Sequence, residues 1–116
     1  MGRDVENAKI TSTFLGIEDH GILTWGITLS GEGWGQGFGN RSWDHKEGEL
    51  RIANSGFGTT IRELLETLDI HKWEDLRGQL VRVDHDFGCV YRIGHITKDQ
   101  WTTGNMTRTS ALTGDS

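Results

Sequence analysis

The chain has 116 residues, 34% of them hydrophobic and 25% charged, and a net charge of −5. That length suits one domain on one modest core rather than two. Twelve Lys and Arg stand against 17 Asp and Glu, with no basic run, which argues against binding a nucleic-acid backbone through clustered cations.

The single cysteine, Cys89, cannot form an intramolecular disulfide and fits a reducing cytoplasm. The polar start, Met1 to Asn7, has no apolar signal core, and no apolar run approaches the roughly 20 residues that span a membrane. A soluble, cytoplasmic protein without membrane contact is expected. Five Trp and four Phe in so short a chain supply much buried area per residue and also serve as contact anchors.

Residues 1–8 read as a frayed polar start. Lys9 to Ile17 reads as a β-strand, with Ile10 and Phe14 on one face and Thr11, Thr13, Leu15 and Ile17 on the other. Glu18 to Gly21 is turn chemistry. Ile22 to Ser30 alternates cleanly, with Leu23, Trp25, Ile27 and Leu29 on one face, and closes a hairpin. From Gly31 to Gly39 a glycine occupies every odd position. In an extended strand this leaves one face bare and puts Glu32, Trp34, Gln36, Phe38 and Asn40 on the other. A third strand is expected near Trp34 to Phe38.

Arg41 to Gly56 is polar and reads as irregular. Thr60 and Glu63 fit a capping box. Ile61, Leu64, Leu65 and Leu68 follow at helical spacing, so a helix is expected over Thr60 to Ile70, with a further short turn at Trp73 to Leu76. Gln79 to Asp86 and Cys89 to Thr97 read as a second hairpin around Phe87-Gly88. Val83, with Leu80 or Val81, faces inward on the first of these strands. Residues 102–116 are rich in Thr, Ser, Gly and Asn and read as a disordered tail. The order β-β-β-α-β-β predicts an α+β domain over 9–101, an antiparallel sheet of about five strands with one helix on one face.

The motifs name no reaction. The glycine ladder is not a P-loop, since no Gly-Lys-Ser/Thr follows, and its period of two is not the dinucleotide fingerprint. It suits either a ligand platform flanked by Trp34 and Phe38 or close packing of the helix over a bare strand. The five histidines are scattered, and Asp84, His85, Asp86, Cys89 and His95 lack the tight paired spacing of a zinc site. Ser42, Asp44 and His45 are too close in sequence for a convincing nucleophile, base and orienting group. No catalytic residue, metal ligand or cofactor is therefore assigned. Trp25 reads as core and Trp73 as a packing residue. Trp34, Trp43 and Trp101 are the candidates for exposed contact.

The run Phe14 to Thr24 resembles the opening of a family of small proteins encoded by tailed bacteriophages and prophages. Gly35 to Gly39, Trp73 to Gly78 and Ile93 to Ile96 are similar to that family as well. Asn40 stands where the resemblance leads one to expect another glycine, and Arg41 to Ser55 is individual to this chain. The resemblance covers about residues 9–101 and implies a phage origin and a bacterial cytoplasm. Small phage accessory proteins are often antagonists of host defence, so it implies a counter-defence setting.

The expected function is a non-catalytic binding protein that occupies a host protein or a nucleotide-type ligand. Its expected contacts are Trp34, Gln36, Phe38, Asn40, Trp43 and His45. The alternatives are a small enzyme acting on a nucleotide or nucleic acid, with His45 or His95 as general base, and a structural or virion-associated interaction protein. A stable homo-oligomer with a large apolar interface would favour the last of these.

Overall fold

The computed structural model describes residues 4–86 and 88–104. Eight strands and one α-helix follow in chain order: β1 (Asp4–Ile17), β2 (Leu23–Gly31), β3 (Trp34–Gly39), β4 (Asp44–Glu47), β5 (Leu50–Ala53), α1 (Phe57–Leu68), β6 (Leu80–His85), β7 (Val90–Gly94) and β8 (Trp101–Thr102). A 3-10 turn covers Trp73–Asp75. Six strands form one antiparallel sheet in the order β3-β2-β1-β6-β7-β8, and β4 and β5 form a separate hairpin. The α+β architecture is as expected, with more strands than the sequence pattern suggested. No helix is long and apolar enough to cross a membrane among the described residues.

β1 is the hinge of the sheet. Its first half, Asp4 to Lys9, pairs with β6, and its second half, Lys9 to Ile17, pairs with β2. The start expected to be frayed is thus strand from Asp4 onward, because β6 supplies its hydrogen bonds. The expected tail begins as strand β8, and its remainder from 105 onward lies outside the described residues, as does Phe87 in the second hairpin turn.

One bulge corrects the predicted faces of β1. Ile10 pairs with Leu29 and Ser12 with Thr28, so one extra residue enters at Thr11. An extra residue shifts every later side chain to the opposite face. Ile10 consequently shares the core face with Thr13 and Leu15, which pair with Ile27 and Trp25, while Phe14 lies on the other face opposite Gly26.

The core lies between the sheet and α1. Ile10, Trp25, Ile27, Leu29, Leu64, Leu76, Val81, Val83 and Ile93 are all buried. Each such side chain contributes about 1.5–3 kcal/mol by leaving water. On β6 the inward residue is Val81 rather than Leu80, which is exposed. The stripe of α1 buries Leu64 and Leu68 and half-buries Ile61 and Leu65.

α1 begins one turn before the predicted start. Gly56 is the N-cap, and no side chain caps the helix. Thr60 is inside the helix because its hydroxyl has another partner. It accepts a hydrogen bond from Trp25 Nε1 at 3.1 Å and donates to the Phe57 carbonyl at 2.8 Å. Glu63 likewise accepts from Thr102 Oγ1 across to β8. Thr60→Val should lower the free energy of unfolding by about 1–3 kcal/mol, since it orphans a buried indole N–H. The exposed neighbour Thr59, changed to Val, should stay within about 0.5 kcal/mol. Urea unfolding of both variants checks this, and equal stability would contradict the assigned role of the Trp25–Thr60 bond.

Candidate functional site

β3 follows β2 through a tight turn and lies at one end of the sheet order, yet the sheet curls until β3 reaches the β6–β7 hairpin. Trp34, Gln36 and Phe38 point to the core side, opposite Gly31, Leu29 and Ile27 of β2. Gly35 and Gly37 are exposed on the far side. The bare face of the glycine ladder therefore does not receive α1, which packs on the side occupied by Trp25.

Close approach explains two of the glycines. A Cβ on Gly31 would collide with the Trp34 indole, which folds back over it. A Cβ on Gly26 would collide with the Asn40 side chain, which covers that face of β2 and reaches Gly37 as well. Asn40 itself has φ of 56°, a left-handed conformation that Asn tolerates better than most residues. This accounts physically for Asn at a position where glycine was expected.

Two contacts hold the curl. The Trp34 indole stacks on His85 with ring centroids 4.0 Å apart, and Glu6 bonds to both, at 3.2 Å to Trp34 Nε1 and 3.0 Å to His85 Nε2. One residue pair further along, Gln36 Nε2 donates to the Asp86 carbonyl at 3.0 Å. Asp86 organises the turn that receives this bond. Its Oδ1 accepts from the backbone N–H groups of Gly88 and Cys89, and its Oδ2 accepts from the Tyr91 hydroxyl at 2.5 Å. The Asp86 carboxylate, followed by Cys89, pushes the Tyr91 hydroxyl well above its ordinary pKa, so Tyr91 stays a proton donor.

Beyond Gln36 the two walls part. They leave an open cleft of about 600 Å³ bordered by Gln36 to Gly39, Arg41, Gly88 to Tyr91, Thr103 and Gly104. Among the described residues, Arg41 is the one ionised side chain in this lining. Its backbone carbonyl is fixed by the Thr24 hydroxyl at 2.6 Å, and its guanidinium lies 5.9 Å from the centre of the Trp43 ring.

No family model, curated protein or solved structure matches this chain. The site must therefore be judged from its own geometry. Of the expected contact residues, Gln36 and Phe38 border the cleft, although Phe38 is 5% exposed and presents little of its ring. Trp34 stands next to them and is engaged with His85 and Glu6. Trp43 is buried against Phe57, with ring centres 6.3 Å apart, and acts as support beneath Arg41. Asn40 covers Gly26 on the outer face. His45 belongs to β4 and does not border the cleft. Trp101 of β8 is engaged too, with the Arg82 and Arg92 guanidinium carbons 4.8 and 4.1 Å from its ring centre.

The reading of the sequence missed Arg41, Cys89, Tyr91 and Thr103. Arg41 adjoins the ladder and could have been weighed as its cation. The others come from a turn and a tail more than 50 positions downstream, and no local pattern joins them to β3.

The stretch expected to be irregular contains the β4–β5 hairpin, because polar side chains tie it down. Asp44 accepts two bonds from Arg51, at 3.1 and 2.6 Å, and one from the Leu23 N–H at 3.0 Å. The Arg51 hydrogen bond is the main cause that lowers Asp44 to a pKa of about 2. His45 has an oxygen acceptor at each ring nitrogen, Asn54 Oδ1 at 2.7 Å and Glu47 Oε2 at 3.0 Å. Only the imidazolium can donate to both, and these two bonds raise its pKa, Asn54 first.

The two groups give opposite pH slopes. Asp44 stabilises the fold fully above the ordinary carboxylate value of 3.8, and that contribution is lost as pH falls toward about 2. His45 stabilises it below 6.5, and that contribution is lost as pH rises through the raised folded value. In urea unfolding across pH, Asp44→Asn should flatten the acid limb and His45→Gln the limb above 6.5. Unchanged limbs would contradict these assignments.

Proposed function

We propose that this chain is a non-catalytic binding protein that captures a small anionic ligand of nucleotide type in the cleft between β3 and the β6–β7 turn. The observation that carries this reading is the charge of the lining. Among the described residues of a chain of net charge −5, the lining of this cleft holds one cation, Arg41, and no carboxylate, while the Asp86 carboxylate behind the turn is bonded to Gly88, Cys89 and Tyr91. A guanidinium on an aromatic support suits bidentate recognition of phosphate or carboxylate. The volume lies within the about 300–1,000 Å³ of small-molecule sites. Gly88, exposed in the lining, leaves its peptide group without a side chain of its own. The amide of Gln36 and the hydroxyls of Tyr91 and Thr103 supply direction.

An enzymatic reading is less favoured by the histidines. His45 is engaged with Asn54 and Glu47 on the separate hairpin. His95 accepts the backbone N–H groups of Thr97 and Lys98 at its Nδ1. Neither borders the cleft. In the setting that the phage resemblance implies, capture without turnover would act as counter-defence, withholding a nucleotide signal from a host protein in the bacterial cytoplasm.

Native mass spectrometry of protein purified gently from bacterial cytoplasm, beside the denatured mass, tests this reading. A bound mass of nucleotide size is expected, and Arg41→Ala should weaken its retention about tenfold or more by removing a charge-assisted bond. A folded chain that carries no such mass, and that takes up no member of a panel of nucleoside phosphates, would overturn the proposal.

A further inference from the structure

The second half of β1 has an open edge. On that side the last backbone bonds are Ile10 N–H to the Gln79 carbonyl at 2.9 Å and Gly78 N–H to the Ile10 carbonyl at 2.7 Å. β6 begins at Leu80 and pairs only as far as Lys9. From Thr11 to Ile17, β1 pairs with β2 on one side and with no strand on the other among the described residues.

Natural sheets protect such edges with charge, proline, a bulge or a covering element, because unpaired N–H and C=O groups invite another strand, and here the bulge at Thr11 stands only at the start of the open stretch. Between Ile10 and Ile17 the sequence Ile-Thr-Ser-Thr-Phe-Leu-Gly-Ile contains neither charge nor proline. It is rich in β-branched and aromatic residues, which favour strand pairing. Phe14 is 43% exposed, Leu15 42% and Ile17 63%. Leu15 and Ile17 lie on the core face, opposite Trp25 and Leu23, and Phe14 lies on the other. A strand added here would cover apolar surface on both sides of the sheet.

We propose that this edge binds the same edge of a second copy of the chain, antiparallel about a two-fold axis, to make one continuous sheet. The charges at the two ends of the strand choose this occupant. Lys9, still paired with Leu80 of β6, flanks one end of the open stretch, and Glu18, whose Oε1 accepts the His20 N–H at 2.6 Å, and Asp19 flank the other. Lys9 makes no ion pair within the chain among the described residues. Antiparallel self-pairing brings Lys9 of each copy toward Glu18 and Asp19 of the other, so both ends become complementary at once. An isologous contact needs this self-complementarity. Strand addition supplies the main-chain bonds, and the flanking charges fix register.

Sedimentation velocity across a concentration series tests the proposal. A species of twice the chain mass is expected. Ile17→Lys, at an exposed position, should raise the dissociation constant about tenfold or more by placing a charge in the pairing edge. Lys9→Glu should weaken the dimer, and Lys9→Glu combined with Glu18→Lys should restore it, a pattern that a fold defect would not produce. Hydrogen exchange of the unaltered protein gives a readout independent of mutation. The amides from Thr11 to Ile17 should become protected as concentration rises. A monomer at every concentration, a dimer indifferent to Ile17→Lys, or exchange that ignores concentration would each overturn it.

Discussion

The burial of Trp25 is the constraint on which the rest of this structure depends. Its ring is fully buried, and a buried indole N–H requires an acceptor. Thr60 supplies that acceptor from α1, so one bond fixes how far the helix slides along the sheet. Phe38 of β3 and Trp73 of the 3-10 turn meet the ring edge-on, with centroids 6.1 and 6.2 Å away. Three separate segments are therefore seated on one side chain. Edge-to-face contacts add about 0.5–1.5 kcal/mol each beyond the area they bury.

The curl of the sheet follows from that seating. Phe38 draws the end of β3 inward over Trp25, and the start of β3 turns toward β6, where Trp34 stacks on His85 under the Glu6 carboxylate. Gln36, between them, reaches the Asp86 carbonyl. The bulge at Thr11 belongs to the same geometry, since it lies in the β2-pairing stretch just past Lys9, where pairing with β6 ends. Bulges increase local twist. The closure stops after Gln36, and the cleft is the space that remains. Its cation, Arg41, borders both that space and a smaller cleft beside Glu18 and Thr24, with its carbonyl fixed by Thr24 and its guanidinium beside the buried Trp43.

Local chemistry made part of this legible. The alternation of Leu23, Trp25, Ile27 and Leu29 and the stripe from Ile61 to Leu68 announce a hairpin and a helix, because periodicity reflects a buried face wherever the partner lies. The bulge was not legible, since one residue changes the phase without changing the composition. Thr60 resembled a cap because its hydroxyl suits one, and only the tertiary partner Trp25 decides otherwise. The strand start at Asp4 and the β4–β5 hairpin rest on β6 and on the Asp44–Arg51 pair, which hydrophobic patterning does not report. Within the site, Gln36 and Phe38 could be anticipated from the glycine ladder. The facing wall from Gly88 to Tyr91 could not, because it meets β3 only through the curl.

The glycine ladder has a different meaning in three dimensions from the packing reading of the sequence. It is not a bed for the helix, which packs on the side occupied by Trp25. Gly31 makes room for Trp34 and Gly37 for Asn40, and the cleft opens beside the side-chain-bearing face. The claim that this cleft is the working site is tested most directly by amide chemical-shift mapping. The ¹⁵N-labelled protein would be titrated with nucleoside phosphates. The account predicts shifts concentrated at Gln36 to Arg41, Gly88 to Tyr91 and Thr103 to Gly104, with His45 and the rest of the β4–β5 hairpin unmoved. Shifts centred on that hairpin, or none at any concentration, would contradict it.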